Sequence, residues 1–352
     1  MIQKMKRKKN SKIKVVVAIV PKGMMVPCFQ VVSAGSLNNP RVFISRITMK
    51  EERILLVDGN NCLLRAHFKF KNKGFSNGKI PTGAVYGFFK ILYSNIVRFK
   101  ITSVVVCFDC HRSKLRTDMY PEYKAHRKRI SEDWDQIFKV QFPIIKRILR
   151  NLGIVYVWDN KRVNEMESDD YLALLYQKNC LSQVYLLSSD EDFVQLLAFP
   201  NIKLINPSKD MLVTPKNCKD VYGYTPEQAV DMKILCGDTS DNILGIKGVG
   251  PKTALKFLEE YGSIREFLKS EQRDKKFPKS ELEPIFKRNQ LLIDLFYYLT
   301  KVNPEVIPYH DKKHAMDKIT LNEVFEKYQL KSFMSSEFMK PFKQLKTYKY
   351  EE

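Results

Sequence analysis

Between residues 50 and 220, apolar and β-branched residues gather into five short runs, at 54–57, 104–108, 154–158, 184–187 and 202–205. Runs of this length predict strands buried on both faces, as in parallel sheets. The stretches between them have helical spacing. Ile137, Val140, Ile144, Ile145, Ile148, Leu149 and Leu152 mark one apolar face, and Val85, Phe88, Phe89, Leu92 and Ile96 mark another. This alternation predicts an α/β fold, a mainly parallel central sheet with helices on both faces. From about Thr225 onward strand signals stop and helical patterns take over. The expected division is a basic extension over 1–48, an α/β core over 49–222, a helical unit over 223–300 and a C-terminal helical segment over 301–352.

The predicted strands run repeatedly into acids. The first meets Asp58, the second Asp109, and the fourth the Ser188-Ser189-Asp190-Glu191-Asp192 stretch. Ligands of open α/β sheets bind outside the carboxyl ends of the strands, so these carboxylates are expected along one edge. Two further clusters are Glu167-Ser168-Asp169-Asp170, before a helical run, and Asp238 with Asp241. Each alone reads as an ordinary turn or helix cap. Nine like charges in one crevice would repel unless neutralised, which points to divalent cations. All-oxygen ligation favours Mg²⁺ or Mn²⁺ over zinc. Two such ions about 4 Å apart would make a phosphodiester-cleaving centre.

Composition locates the partner. The 352 residues carry 60 Lys+Arg against 39 Asp+Glu, a net charge of +21. Such a balance suits a polyanion, nucleic acid or an anionic membrane face. No apolar run approaches the length of a spanning helix. Residues 1–50 hold eleven Lys+Arg and no acids. This leader reads as an organelle transit segment, a nucleic-acid-binding arm, or an extension upstream of a natural start at Met49. The seven scattered cysteines argue against a disulfide framework and for a reducing compartment.

Two segments address phosphates. The stretch Gly245-Ile-Lys247-Gly248-Val-Gly250-Pro-Lys252-Thr253-Ala254 joins two helical patterns directly after Asp238 and Asp241. Glycines let backbone approach phosphate, and the following helix start offers free N–H groups. Such a hairpin grips duplex without reading bases. Residues 111–150 hold eleven Lys+Arg against five acids. Lys124 and Arg127, three apart, would share one face if helical. Tyr123 would either stack on a base or pack, and Arg112, Lys114, Arg116, Lys128 and Arg129 suit phosphate contacts or a solvated face.

Together these motifs resemble the 5′-nuclease or flap endonuclease family, especially its single-chain bacteriophage 5′-exonucleases and the 5′-nuclease domain of bacterial DNA polymerase I. The similar stretches are Val57-Asp-Gly-Asn-Asn, Phe108-Asp109, Tyr120-Pro-Glu-Tyr-Lys124-x-x-Arg127, Glu167-x-Asp169-Asp170, Ser189-Asp190-x-Asp192, and Gly237 through Gly250. They cover about residues 53–335 in the family's order; the first 48 residues have no counterpart. Departures are Ser168, where many relatives have Ala, and Glu191, where Gly or Lys is frequent.

The resemblance implies a helical arch over about 111–140 and a helix–three-turn–helix unit. It implies a first metal site of Asp58, Asp109, Glu167, Asp169 and Asp170 and a second of Asp190, Asp192, Asp238 and Asp241, with ligands shared between the two. Lys124 and Arg127 would face the scissile phosphate, with Tyr123 beside them. Gly245, Lys247, Gly248, Gly250, Lys252 and Thr253 would hold DNA, with room for K⁺ at the hairpin. The implied protein is a monomeric, cytoplasmic enzyme of DNA replication and repair, without a membrane partner. Its substrates would be 5′ flaps, 5′ ends and fork junctions in DNA, with RNA–DNA primer ends an open question. An RNA-cutting nuclease on a related sheet, or a non-catalytic branched-DNA-binding protein, are the alternatives. The first should lack the hairpin, and the second should have lost several carboxylates.

Overall fold

The computed structural model describes residues 52–127, 131–311 and 320–350. The leader, Lys128, Arg129 and His314 lie outside the described residues. Five parallel strands form the centre: β1 (Arg53–Asp58), β2 (Ser103–Phe108), β3 (Val155–Trp158), β4 (Gln183–Leu187) and β5 (Ile202–Asn206). They coincide with the five apolar runs to within a residue or two at either end. Two short strands complete the sheet, β6 (Met211–Val213) antiparallel to β5 and β9 (Tyr309–His310) antiparallel to β3. The order is β6-β5-β4-β1-β2-β3-β9.

Pleating explains the two faces. On β1, Leu55 and Val57 enter one apolar cluster, while Ile54 and Leu56 enter another. The first cluster is covered by helices Gly59–Phe70, Gly83–Phe99 and Phe142–Asn151, the second by Ser168–Lys178 and Leu295–Val302. Every β1 residue from Ile54 to Val57 is fully buried. Removing such a side chain leaves a cavity, so large-to-alanine changes here should cost about 2–5 kcal/mol.

A third cluster holds the second unit together: Ile234, Leu235, Ile246, Val249, Ala254, Phe257, Phe267 and Leu282, among others, between helices Ala229–Cys236, Pro251–Tyr261, Ile264–Lys269 and Lys279–Ile293. Strand signals do not stop at Thr225. A two-stranded ribbon, β7 (Gly237–Asp238) with β8 (Ile243–Leu244), opens the hairpin, and β9 returns to the main sheet. Two-residue strands carry too little periodicity to be read from sequence. The last helix, Ser336–Lys343, packs back on the first face: Phe338 stacks on Tyr93, and Phe342 lies edge-on to Phe89.

The described residues of 111–140 are only partly helical. Helix Lys114–Met119 is followed by turns through 126, and Lys124 has φ 54°, so Lys124 and Arg127 do not share a helical face. Beyond the undescribed 128–130, wide helical turns over Asp135–Gln141 lead into Phe142–Asn151.

Candidate active site

Strand β1 lies between β2 and β4, so chain order reverses between β1 and β4. The crevice of an open α/β sheet forms at such a switch point. Asp58 ends β1 there. Its carboxylate accepts from Asn61 N at 3.0 Å and from Ser188 Oγ, beyond β4, at 2.7 Å. Asp109 follows β2 and accepts from Ser168 N at 2.7 Å, which draws the start of helix Ser168–Lys178 to the strand end. Asp190 caps the turn after β4 by accepting from Asp192 N at 2.9 Å.

Two groups of acids result: Asp169, Asp190 and Asp192, and Asp192, Asp238 and Asp241. Within each, one oxygen per residue lies within 4.8 Å of the others. Asp192 is common to both groups, and Asp190 lies beside Asp169. Burial first, then neighbouring carboxylates, raises the proton affinity of Asp58, Asp169 and Asp190. Asp58 is pushed up to about 6, Asp190 to about 7, and Asp169 well above the ordinary carboxyl range. Clustered acids that resist ionising together are what a divalent cation would relieve, and an all-carboxylate set suits a hard cation.

Two expected ligands are engaged differently. Both Asp170 oxygens accept from the buried Arg116 guanidinium, at 2.7 and 2.8 Å, and its carboxylate also caps Glu167 N at 3.0 Å. Asp170 is therefore a buried ion-pair partner, and Arg116, 2% exposed, is no surface phosphate contact. Glu167 accepts from Lys124 Nζ at 2.6 Å, Tyr123 OH at 2.8 Å and Ser113 N at 3.2 Å. Burial opposes its charge, yet the Lys124 and Arg116 cations hold its carboxyl down at about 2. Tyr123 is 2% exposed, which removes the base-stacking reading and leaves packing against the third cluster.

Lys124 and Arg127 converge through Asp241. Lys124 Nζ stands 3.6 Å from one Asp241 oxygen and Arg127 Nη2 2.5 Å from the other, while the Lys124 amide donates to the Asp241 carbonyl at 2.9 Å. Lys233 went unnoticed in the sequence. Its ammonium contacts Asp192 and lies 2.7 Å from Asp238. Burial opposes the Lys233 charge, but Asp192 and Asp238 raise its pKa overall. The one available signal was its place, five residues before Asp238.

The hairpin begins at the same acids. Gly237, at φ 78°, and Gly245 approach so closely that a Cβ on Gly245 would sit 2.3 Å from Gly237 N. Gly248 has φ 74°, and Gly250 precedes helix Pro251–Tyr261, where Thr253 N donates back to Gly250 O at 3.0 Å. Ile246 and Val249 are buried anchors, which leaves Lys247, Gly248, Gly250 and Lys252 exposed. A cleft of 870 Å³ joins Asp190, Lys233 and Asp238 to Pro251 and Lys252.

Acids gathered at a sheet switch point, flanked by buried cations and a glycine hairpin, suit the metal-assisted hydrolysis of phosphodiesters. Comparison with known proteins agrees. The 5′-3′ exonuclease N-terminal resolvase-like domain matches residues 53–223, and the 5′-3′ exonuclease C-terminal SAM fold matches residues 224–321. The chain belongs to the 5′-3′ exonuclease family and is a nuclease. It is 32% identical over 287 residues to a 5′-3′ exonuclease of Aquifex aeolicus, covering 80% of this chain and 93% of that one. A thermostable DNA polymerase I of Thermus thermophilus is 38% identical over 225 residues, covering 63% of this chain and only 26% of the polymerase. Bacteriophage T5 D15 protein, crystallised with metal ions, shares the fold at TM-score 0.59 and 21% identity, over 71% of this chain and 92% of that one. Among the described residues no helix is long and apolar enough to cross a membrane.

Proposed function

We propose that this nuclease cuts DNA at 5′ flaps, 5′ ends and fork junctions, leaving 5′-phosphate and 3′-hydroxyl ends. Asp58, Asp109, Asp169 and Asp190 would hold one divalent cation and Asp192, Asp238 and Asp241 a second, Mg²⁺ by preference with Mn²⁺ as substitute. When bound, such ions would activate water for attack and offset charge on the leaving oxygen. Lys124 and Arg127, already steered to one point by Asp241 and Glu167, place positive charge where the transition-state phosphate becomes more negative. Glu167 positions Lys124 by accepting its proton-rich end at 2.6 Å. The exposed backbone at 247–250, with Lys247, Lys252 and Thr253, would carry duplex phosphate, and K⁺ could join it there. The α/β core over 49–222 would then cut while the unit over 223–300 holds duplex. The continuity of Asp238 and Asp241 with the hairpin carries this reading, because it ties the acids to a duplex grip across one short ribbon.

A labelled 5′-flap duplex incubated with Mg²⁺ should yield short 5′ products that EDTA abolishes. Asp190→Asn with Asp192→Asn should abolish cutting and retain duplex binding. Intact flaps under every divalent ion tested would refute the reading.

A further inference from the structure

The 870 Å³ cleft is also lined by Tyr222, Gly223 and Tyr224, which belong neither to the metal groups nor to the hairpin. Its size lies within the range of about 300–1,000 Å³ usual for ligand clefts. Gly223, at φ 85°, turns the chain so that residues two apart present rings 6.2 Å apart and tilted by only 31°. The Tyr222 ring is pinned. Its hydroxyl accepts from Asn206 Nδ2 at 3.1 Å, and Asn206 is 1% exposed at the end of β5. Lys209 Nζ stands 5.1 Å from the Tyr222 ring centroid. Tyr224 borders both the second and the third apolar clusters, so it sits at the seam between the two units.

Charge selects the occupant. Arg127, Lys233 and Lys252 all line the cleft. The Glu191 carboxylate acts electrostatically on both tyrosines, Lys233 acts on Tyr224, and Lys209 stands at the Tyr222 ring. Cations beside aromatic rings suit single-stranded nucleic acid: the cations answer phosphates, and a nucleobase has a π-face for the rings and N–H donors for the Glu191 carboxylate. Resting on the DNA-cutting reading above, we propose that Tyr222 and Tyr224 form a stacking subsite for one unpaired nucleobase. Its nucleotide shares the cleft with Asp190 and Asp238 of the acid groups and with Lys252 of the hairpin. Stacking on an aromatic side chain is tolerant of base identity and is worth about 1–3 kcal/mol, or about five- to 150-fold in affinity.

The test uses the full chain and 5′-flap DNA in Ca²⁺. Abasic sites or 2-aminopurine are moved one nucleotide at a time across the junction, with equilibrium binding and fluorescence as readouts. The wild type should show an abasic penalty of about five- to 150-fold, and 2-aminopurine quenching, both confined to one position. Tyr222→Leu with Tyr224→Leu should erase both, and Tyr222→Phe with Tyr224→Phe should restore them. Equal abasic penalties in the wild type and the leucine variant would overturn the subsite. So would a wild type with no position-specific penalty, a reading that needs no variant to fold. Flaps cut in Mg²⁺ without the quench would sink the subsite alone, while flaps neither bound nor cut would sink the parent reading with it.

Discussion

Lys233 Nζ lies 2.7 Å from an Asp238 carboxylate oxygen, and the same ammonium contacts Asp192. Asp192 and Asp238 belong to one acid group with Asp241, so a side chain of this protein already neutralises part of a cation-binding set. An ammonium within a few ångströms of a divalent ion weakens its binding by Coulomb repulsion, even at an effective dielectric constant of about 20. Lys233→Met should therefore tighten Mn²⁺ binding at this group by about tenfold or more, as titration calorimetry would show. Unchanged or weaker Mn²⁺ binding would mean that Lys233 does not share the ion's position.

The Arg116–Asp170 pair is a structural strut. The guanidinium makes two bonds to Asp170 and lies 3.8 Å from the Tyr298 ring centroid, so it joins the base of the 111–127 segment to two helices. Removing one partner of a buried pair strands the other, at a cost of about 3–5 kcal/mol. Arg116→Met should destabilise by that amount in urea melts, and Arg116→Met with Asp170→Asn should recover part of it. Additive losses in the double variant would show that the two residues act independently.

Arg116 also shows where sequence reasoning stops. Its neighbours Arg112 and Lys114 are ordinary partly or fully exposed cations, and no spacing rule separates the buried one from them. The burial comes from Asp170 and Tyr298, which stand 54 and 182 residues away along the chain. Tyr123 and Lys124 were indistinguishable in the same way, since both turn inward only because Glu167 accepts from each. By contrast, Asp58 and Asp109 were legible, because a strand end fixes its own position once the sheet is known. The five central strands were legible for their continuous apolar runs. β6, β7, β8 and β9, two or three residues each, owe their pairing to partners rather than to pattern.

Lys124 is held at Glu167 and Asp241 with little solvent contact, and its charge is secured despite burial by those two acids. If it faces the reacting phosphate, its loss should resemble loss of a single oxyanion-stabilising donor, about two orders of magnitude. Lys124→Ala should slow single-turnover flap cleavage by that factor while leaving duplex affinity within a few-fold. An unchanged single-turnover rate would remove Lys124 from the chemistry.

Asp190 links pH to stability and to cation binding. Burial, then Asp192, raises its carboxyl from an ordinary value to about 7. Between the ordinary and the raised value the folded protein holds a proton that the unfolded chain has lost, so cation-free stability falls as pH rises through that window. Each unit is worth about 1.4 kcal/mol, and the open cleft discounts the total to about 2 kcal/mol. In EDTA, Asp190→Asn should therefore be more stable than wild type by about 2 kcal/mol at pH 8, with the difference shrinking toward pH 4. Cation binding requires the charged carboxylate, so Mg²⁺ should expel protons near pH 6 and almost none at pH 8.5. Calorimetry in buffers of differing ionisation enthalpy would read that release directly. A proton count independent of pH across this range would show that Asp190 is ionised before the ion arrives.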